Sequence, residues 1–119
     1  MTLAELYREI DGNYEAMLKT LPMEQLIARV LGKLPDDPSC GQMVSAWAER
    51  DARGVFEGAH GLKGAAANLH LDSLSREAGA VADEFRPGTA RSWSDEEVSR
   101  RVAELAAHYA DVCAKIRAF

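Results

Sequence analysis

The chain has 119 residues, with 14 lysines and arginines against 19 aspartates and glutamates, and a net charge of −5. This length suits a single domain that can bury a core without disulfides or metals. The acidic balance argues against nucleic acid and against an anionic membrane surface, because both attract clusters of lysine and arginine.

Apolar residues at helical spacing begin near the N-terminus, and no alternating strand pattern occurs anywhere in the chain. Two short helices are predicted first, one ending at Asp11 and the next at Pro22. A third is predicted to end at Pro35. Two prolines, Pro35 and Pro38, fall within four residues there, and proline interrupts a helix. The residues that these helices would turn inward are Leu3, Leu6, Tyr7, Ile10, Tyr14, Met17, Leu18, Leu21, Leu26, Ile27, Val30, Leu31 and Leu34.

Four further helices are predicted beyond these. The fourth covers about residues 39–50, Asp51 is a candidate N-cap of the fifth, and Asp72 a candidate N-cap of the sixth. Ser94 and Glu97 have the spacing of a capping box for the last helix. Inward residues predicted for the fourth, sixth and last helices are Met43, Val44, Trp47, Ala48, Leu74, Ala78, Val81, Ala82, Phe85, Val98, Val102, Leu105, Ala106, Tyr109, Val112 and Ile116. Amphipathic helices joined by short loops predict an all-α antiparallel bundle.

The fifth helix combines an apolar row with an unusual opposite face. The row consists of Val55, Ala59, Leu62, Ala66 and Leu69. At 100° per residue the five lie within an arc of about 80°, and His60 points about 140° from its middle. His60 is therefore predicted to face away from the core. Lys63 and Gly64 follow at i+3 and i+4, the positions that neighbour it on a helix surface.

An exposed imidazole in this setting suits phosphoryl chemistry. Its ordinary pKa of about 6.5 leaves a nitrogen lone pair free near neutral pH. Attack on phosphorus requires an approach in line with the leaving oxygen. Gly64 leaves room beside the ring for phosphoryl oxygens, and the Lys63 ammonium can offset their charge.

Glycines are frequent in this helix, although each costs about 1 kcal/mol relative to alanine. They are Gly54, Gly58, Gly61 and Gly64. The His60 face is built from Gly64 and Ala67, with Phe56 at its margin. We interpret this face as a smooth patch that lets another protein approach the imidazole. Tight packing against a neighbouring helix is the alternative explanation for the glycines.

Residues 59–69, Ala-His-Gly-Leu-Lys-Gly-Ala-Ala-Ala-Asn-Leu, resemble the signature of the histidine phosphotransfer (Hpt) domain family. That signature is His-x-Leu-Lys-Gly followed by small residues. The resemblance implies a four-helix antiparallel bundle with additional short N-terminal helices. It also implies His60 as phosphoacceptor, Lys63 for phosphate stabilisation and Gly64 for steric clearance. Phe56, Glu57 and Ala67 would contact the partner.

The partners that the resemblance implies are receiver domains and a hybrid histidine kinase, with no nucleic acid or membrane. We expect a phosphocarrier without kinase activity or cofactor, acting as a monomer. Residues 1–119 would form one domain, in which 1–21 are a helical extension and 22–118 the Hpt-like region. Two departures from the family are His70, which replaces a common glycine, and the alanines at 65–67, which replace frequent serines. If position 70 takes a left-handed conformation to end the helix, His70 is strained there, although histidine is among the non-glycine residues found in that conformation.

Two alternatives remain open from the residues alone. One is a non-catalytic module that docks receiver domains without phosphotransfer. The other is a helical dimerisation bundle, which would bury His60. A metal site is not expected, because the histidines and the cysteines Cys40 and Cys113 have no metal-ligand spacing. The chain begins without a signal sequence and has no apolar run of the roughly 18 residues that span a membrane. We therefore expect a cytoplasmic protein with reduced thiols.

Overall fold

The computed structural model describes residues 1–119 and is entirely helical. The seven α-helices are α1 (Leu3–Glu9), α2 (Tyr14–Thr20), α3 (Glu24–Leu31), α4 (Ser39–Ala48), α5 (Ala52–Asn68), α6 (Asp72–Glu84) and α7 (Asp95–Ala118). A single 3₁₀ turn covers Leu34–Asp36, where the two-proline segment was predicted to break the third helix. No helix of the structure has the length and apolar character of a membrane span.

Helices α4 to α7 form the antiparallel four-helix bundle that was predicted. Helix α5 packs between α4 and α6, and α7 closes the bundle by contacting α4 and α6. The predicted inward row of α5 is buried along its whole length, as are all five inward residues predicted for α6. Burial of these rows excludes water from the centre, which is the main stabilising contribution in a bundle.

Helices α1 and α2 cover the end of the bundle where α5 ends and α6 begins. The buried Tyr7 hydroxyl donates to the Leu69 carbonyl at 2.9 Å, and the Asn13 amide donates to the His70 carbonyl at 2.8 Å. Each of these two helices has only seven residues, a length that is marginal in isolation. Their burial of apolar side chains against the bundle therefore stabilises them.

Three expectations about helix faces and ends are wrong. Val44 and Ala48 are exposed, because α4 turns Cys40 and Ala46 inward beside Met43 and Trp47. Helix α6 starts one residue earlier than expected. Its N-cap is Leu71, which makes no side-chain cap, and Asp72 is its first helical residue.

The Ser94 side chain does cap α7 by accepting from the Glu97 amide at 3.1 Å. The second half of the predicted capping box is missing, because the Glu97 carboxylate pairs with Arg100 instead. A complete capping box occurs in α1, between Thr2 and Glu5. The spacing alone did not distinguish the two, since an arginine follows at i+3 in both cases, and only Arg100 forms an ion pair with its glutamate.

Candidate functional site

Helix α5 presents His60 on its outer face, as the apolar row predicts. The helix is started by Asp51, whose carboxylate accepts a hydrogen bond from the Gly54 amide at 3.1 Å. His60 is exposed, and neither ring nitrogen makes a hydrogen bond or an ion pair within the protein. Within the single chain, His60 is therefore outside the core. Both nitrogens remain open to a reacting partner.

The imidazole of His60 lies against the ring of Phe56, one helical turn earlier. The two ring centroids are 5.4 Å apart and the planes differ by only 16°. Phe56 is half-buried and packs against the core, and the Arg86 guanidinium lies 5.4 Å from the centre of its ring. Arg86 is in turn held by the Asp83 carboxylate at 2.8 Å. The side chains of Asp83, Arg86 and Phe56 thus form a continuous series of contacts that ends at His60.

Lys63 leans from α5 onto α6. A Cβ atom placed on Gly79 would lie 3.3 Å from Lys63 Cδ and 3.5 Å from Cε, so this glycine accommodates the lysine stem. Lys63 forms no ion pair. The Arg86 hydrogen bond lowers the pKa of Asp83, and the positive charges of Arg86 and Lys63 add to the effect. The ammonium of Lys63 is therefore on the α6 side of the site and free to meet an anion.

Gly64 is the only one of the four α5 glycines with open space above it. Apart from the adjacent residues and backbone of α5 itself, no atom lies within 4 Å of the position that its Cβ would take. The other three face α4 or the helix start, where a Cβ would come within 2.7 Å of Met43, Ser39, Ala46 or Asp51. The alternative explanation, tight helix packing, thus accounts for Gly54, Gly58 and Gly61. The clearance explanation fits Gly64.

The three residues expected to contact a partner fall on opposite sides of His60. Phe56 and Glu57 line a groove with Phe85 and Pro87. Glu57 also pairs with Arg53 at 3.0 Å. Ala67 lies in a separate groove between α5 and α6, which it shares with Lys63, Gly79 and Asp83 among others. The structure therefore places Phe56 with Glu57 and Lys63 with Ala67, and His60 lies between the two pairs along α5.

Sequence reasoning missed Gly79 and Asp83 of α6 and also Arg86, which lies two residues beyond the end of that helix. They lie 19 to 26 residues after His60, and no motif connects them to it. The available signal was the i, i+4, i+7 spacing of Gly79, Asp83 and Arg86, which puts Gly79 and Asp83 on one face of α6 and Arg86 just beyond its end. The spacing does not show which face of α6 packs against α5, because that depends on the arrangement of the helices in the bundle.

The other two histidines are engaged elsewhere. His70 lies 2.9 Å from the Thr20 hydroxyl through Nε2, and His108 Nδ1 lies 2.9 Å from the Glu77 carboxylate. No group of three or more histidine, cysteine, aspartate or glutamate side chains is arranged to hold a metal ion. Cys40 and Cys113 are free and buried, and burial raises the pKa of each thiol.

Comparison with known proteins supports the resemblance that the motif suggested. The sequence model of one family, described as Hpt domain, matches residues 22–115. The match covers α3 to α7 almost completely and includes the entire His60 face. Residues 1–21, with α1 and α2, lie outside it. No curated protein and no solved structure matches the chain.

Proposed function

The chain belongs to the Hpt domain family, whose members take part in histidine phosphotransfer in phosphorelays, and on that basis we propose that it is a phosphocarrier acting through His60. His60 accepts a phosphoryl group from the aspartate of one receiver domain and passes it to the aspartate of another. The observation that carries this proposal is the exposed imidazole with two unbonded nitrogens beside the open space at Gly64. A hybrid histidine kinase is the proposed source of the phosphoryl group.

In the transfer step this domain supplies the nucleophile, and the receiver supplies the aspartyl phosphate. A ring nitrogen of neutral His60 attacks the phosphorus of the aspartyl phosphate, in line with the carboxylate oxygen. The N–P bond forms as the P–O bond breaks, and the aspartate leaves as a carboxylate with the bonding electron pair. The second ring nitrogen keeps its proton during the step. Reversal of the same step phosphorylates the next receiver.

Two neighbours of His60 support this step. Lys63 places a cation without an ion-pair partner on the α6 side, where it attracts the phosphoryl oxygens. Gly64 leaves the space in which those oxygens and the partner's acidic site approach the ring. Phe56 with Glu57, and Ala67 with the α5–α6 groove, provide the contact surfaces on either side.

The test is phosphotransfer from a panel of phosphorylated receiver domains, with the product assayed for acid-labile, base-stable phosphate. We expect the wild-type chain to be labelled by at least one receiver and His60→Gln to remain unlabelled. The stability of His60→Gln should stay within about 0.5 kcal/mol of wild type, because the side chain is exposed. His108→Gln is the matched control, since it removes another histidine from the surface and should transfer normally. Labelling of His60→Gln at the wild-type rate would contradict the proposal.

A second candidate is a module that binds receivers without accepting phosphate. The two grooves beside His60 favour it, because docking surfaces are useful without chemistry. It predicts that His60→Ala binds a receiver as well as wild type does and that the wild type carries no phosphohistidine. Native mass spectrometry of the complex distinguishes the two candidates and also reports whether the free chain is a monomer, as we propose.

We also propose that the protein acts in the cytoplasm. Its two cysteines are buried and unpaired, as is typical of proteins in reducing compartments. Fractionation of cells that produce the full-length protein tests this proposal, and recovery of the protein outside the cytoplasmic fraction would contradict it.

A further inference from the structure

His60 differs from the other two histidines in how it is held. His70 and His108 each have a ring nitrogen within hydrogen-bond distance of another side chain. His60 has no such partner, and its contact is through the ring face, against Phe56 at 5.4 Å and 16°. A hydrogen bond would orient the imidazole by occupying one nitrogen. A ring-face contact restricts the imidazole and leaves both nitrogens available.

We propose that Phe56 is a positioning residue for His60, and this inference rests on the proposed phosphocarrier function. The phenyl ring holds the imidazole in one orientation, so that the attacking nitrogen already points along the approach of the phosphoryl group. Phe56 takes no part in the bond changes, because a phenyl ring neither donates nor accepts the proton or the phosphoryl group.

An exposed histidine without this contact would rotate about both side-chain torsions. Only some of its rotamers direct a nitrogen along the line of attack, so rotation lowers the fraction of molecules ready to react. Nearly parallel aromatic pairs have a favourable interaction of their own beyond the area they bury. The contact therefore raises the fraction of the productive rotamer before the partner arrives.

Phe56 can serve as a support because it is itself held in place. It packs against the hydrophobic core on one side, and the Arg86 guanidinium lies over its ring. The bond from Arg86 to Asp83 ties that guanidinium to the last turn of α6. The orientation of His60 on α5 thus depends on the α5–α6 packing as well as on α5 itself.

The experiment compares Phe56→Leu, Phe56→Tyr and wild type in single-turnover transfer from one phosphorylated receiver, at saturating and at limiting receiver concentrations. Leucine keeps apolar bulk but cannot stack, whereas tyrosine keeps the ring. Tyr14→Leu is the matched control, because Tyr14 is also partly buried and forms an aromatic pair with Tyr7 at 5.8 Å, away from His60. Urea unfolding of each variant confirms that the bundle is intact.

We expect Phe56→Leu to lower the transfer rate at saturation about fivefold, equivalent to about 1 kcal/mol, a loss that a higher receiver concentration does not restore. Tyr14→Leu should transfer at the wild-type rate, and Phe56→Tyr should transfer faster than Phe56→Leu because it keeps the ring that stacks on His60. In NMR spectra, the His60 ring protons should lose the ring-current shift in Phe56→Leu and keep it in Phe56→Tyr. The side-chain couplings of His60 should change in Phe56→Leu from values for one rotamer to averaged values.

A wild-type saturating rate in Phe56→Leu would overturn the inference, and so would unchanged His60 couplings. A change confined to the half-saturating concentration would also overturn it, since Phe56 would then be a docking contact only. If the wild type transfers no phosphate to or from any receiver, the phosphocarrier proposal fails and the positioning role fails with it. Transfer by the wild type with no effect of Phe56→Leu removes the positioning role alone.

Discussion

Alanine substitutions at Gly58 and Gly64, six residues apart in α5, should change stability in opposite directions. At Gly58 a Cβ would lie 2.6 Å from the Met43 amide nitrogen and 2.8 Å from both Met43 Cα and the Ser39 carbonyl oxygen. These are backbone atoms, so α4 must move away from α5 as a unit. Overpacking of this kind costs about 1–3 kcal/mol, and we take the upper half of that range. The helix propensity of alanine returns about 1 kcal/mol, which leaves a net loss of roughly 1–2 kcal/mol.

At Gly64 the same methyl group would contact no other side chain or helix, because no atom outside the adjacent α5 backbone lies within 4 Å of it. Only the propensity gain remains, so the free energy of unfolding should rise by about 1 kcal/mol and Tm by about 4 °C. The methyl would nevertheless stand on the His60 face, where the phosphoryl group approaches. Gly64→Ala should therefore slow phosphotransfer by about tenfold while stabilising the protein.

Urea unfolding, followed by the fluorescence of the buried Trp47, measures the change in stability. Phosphotransfer rates measure the effect on function. The reasoning is refuted if Gly58→Ala is as stable as wild type or if Gly64→Ala is less stable. Transfer by Gly64→Ala at the wild-type rate would remove the clearance role and leave the packing argument for Gly58 untouched.

Three further outcomes are expected. Lys63→Met should slow transfer by about two- to fivefold without destabilising the bundle, because methionine keeps the apolar stem but not the ammonium; an unchanged rate and phosphohistidine lifetime would exclude a role for its charge. Burial raises the pKa of Tyr7 to about 12, so between about pH 10 and 12 the unfolded chain releases a proton that the folded protein retains. Urea midpoints should fall with rising pH in that window, and less steeply in Tyr7→Phe; equal slopes would contradict this. Cys40 and Cys113 should react with a thiol reagent only at the rate of global unfolding, and rapid labelling in the native state would show that the core opens locally.

Apolar spacing was sufficient to predict α5 and α6, because each has one continuous inward row and a clear end signal. It was not sufficient for α4, where apolar residues extend around more of the helix. Met43 and Trp47 were placed correctly, but Val44 and Ala48 were put on the inner face that Cys40 and Ala46 occupy. A short helix with apolar residues on several sides has more than one plausible inner face, and its neighbours decide among them.

The site was predictable where its residues are local in sequence. Exposure of His60 and open space at Gly64 follow from helical geometry, and both are confirmed. The contribution of α6 was not predictable, since Gly79 and Arg86 reach the site only through helix packing. His70 has a φ of 56°, so the position where the family commonly has glycine does take the left-handed conformation that strains a residue with a Cβ atom.

The contacts of α1 and α2 tie residues outside the family match to the end of α5. The match to the family begins at residue 22, yet the carbonyls of Leu69 and His70 receive their hydrogen bonds from Tyr7 and Asn13. A fragment cut at the boundary of the match would leave both carbonyls without these donors and would uncover Leu71, which is fully buried. The turn that ends the His60 helix would then be held only by its own backbone hydrogen bonds, which the amides of Leu69, His70 and Leu71 donate to α5 carbonyls. The family match thus begins after the residues that donate the hydrogen bonds to the Leu69 and His70 carbonyls.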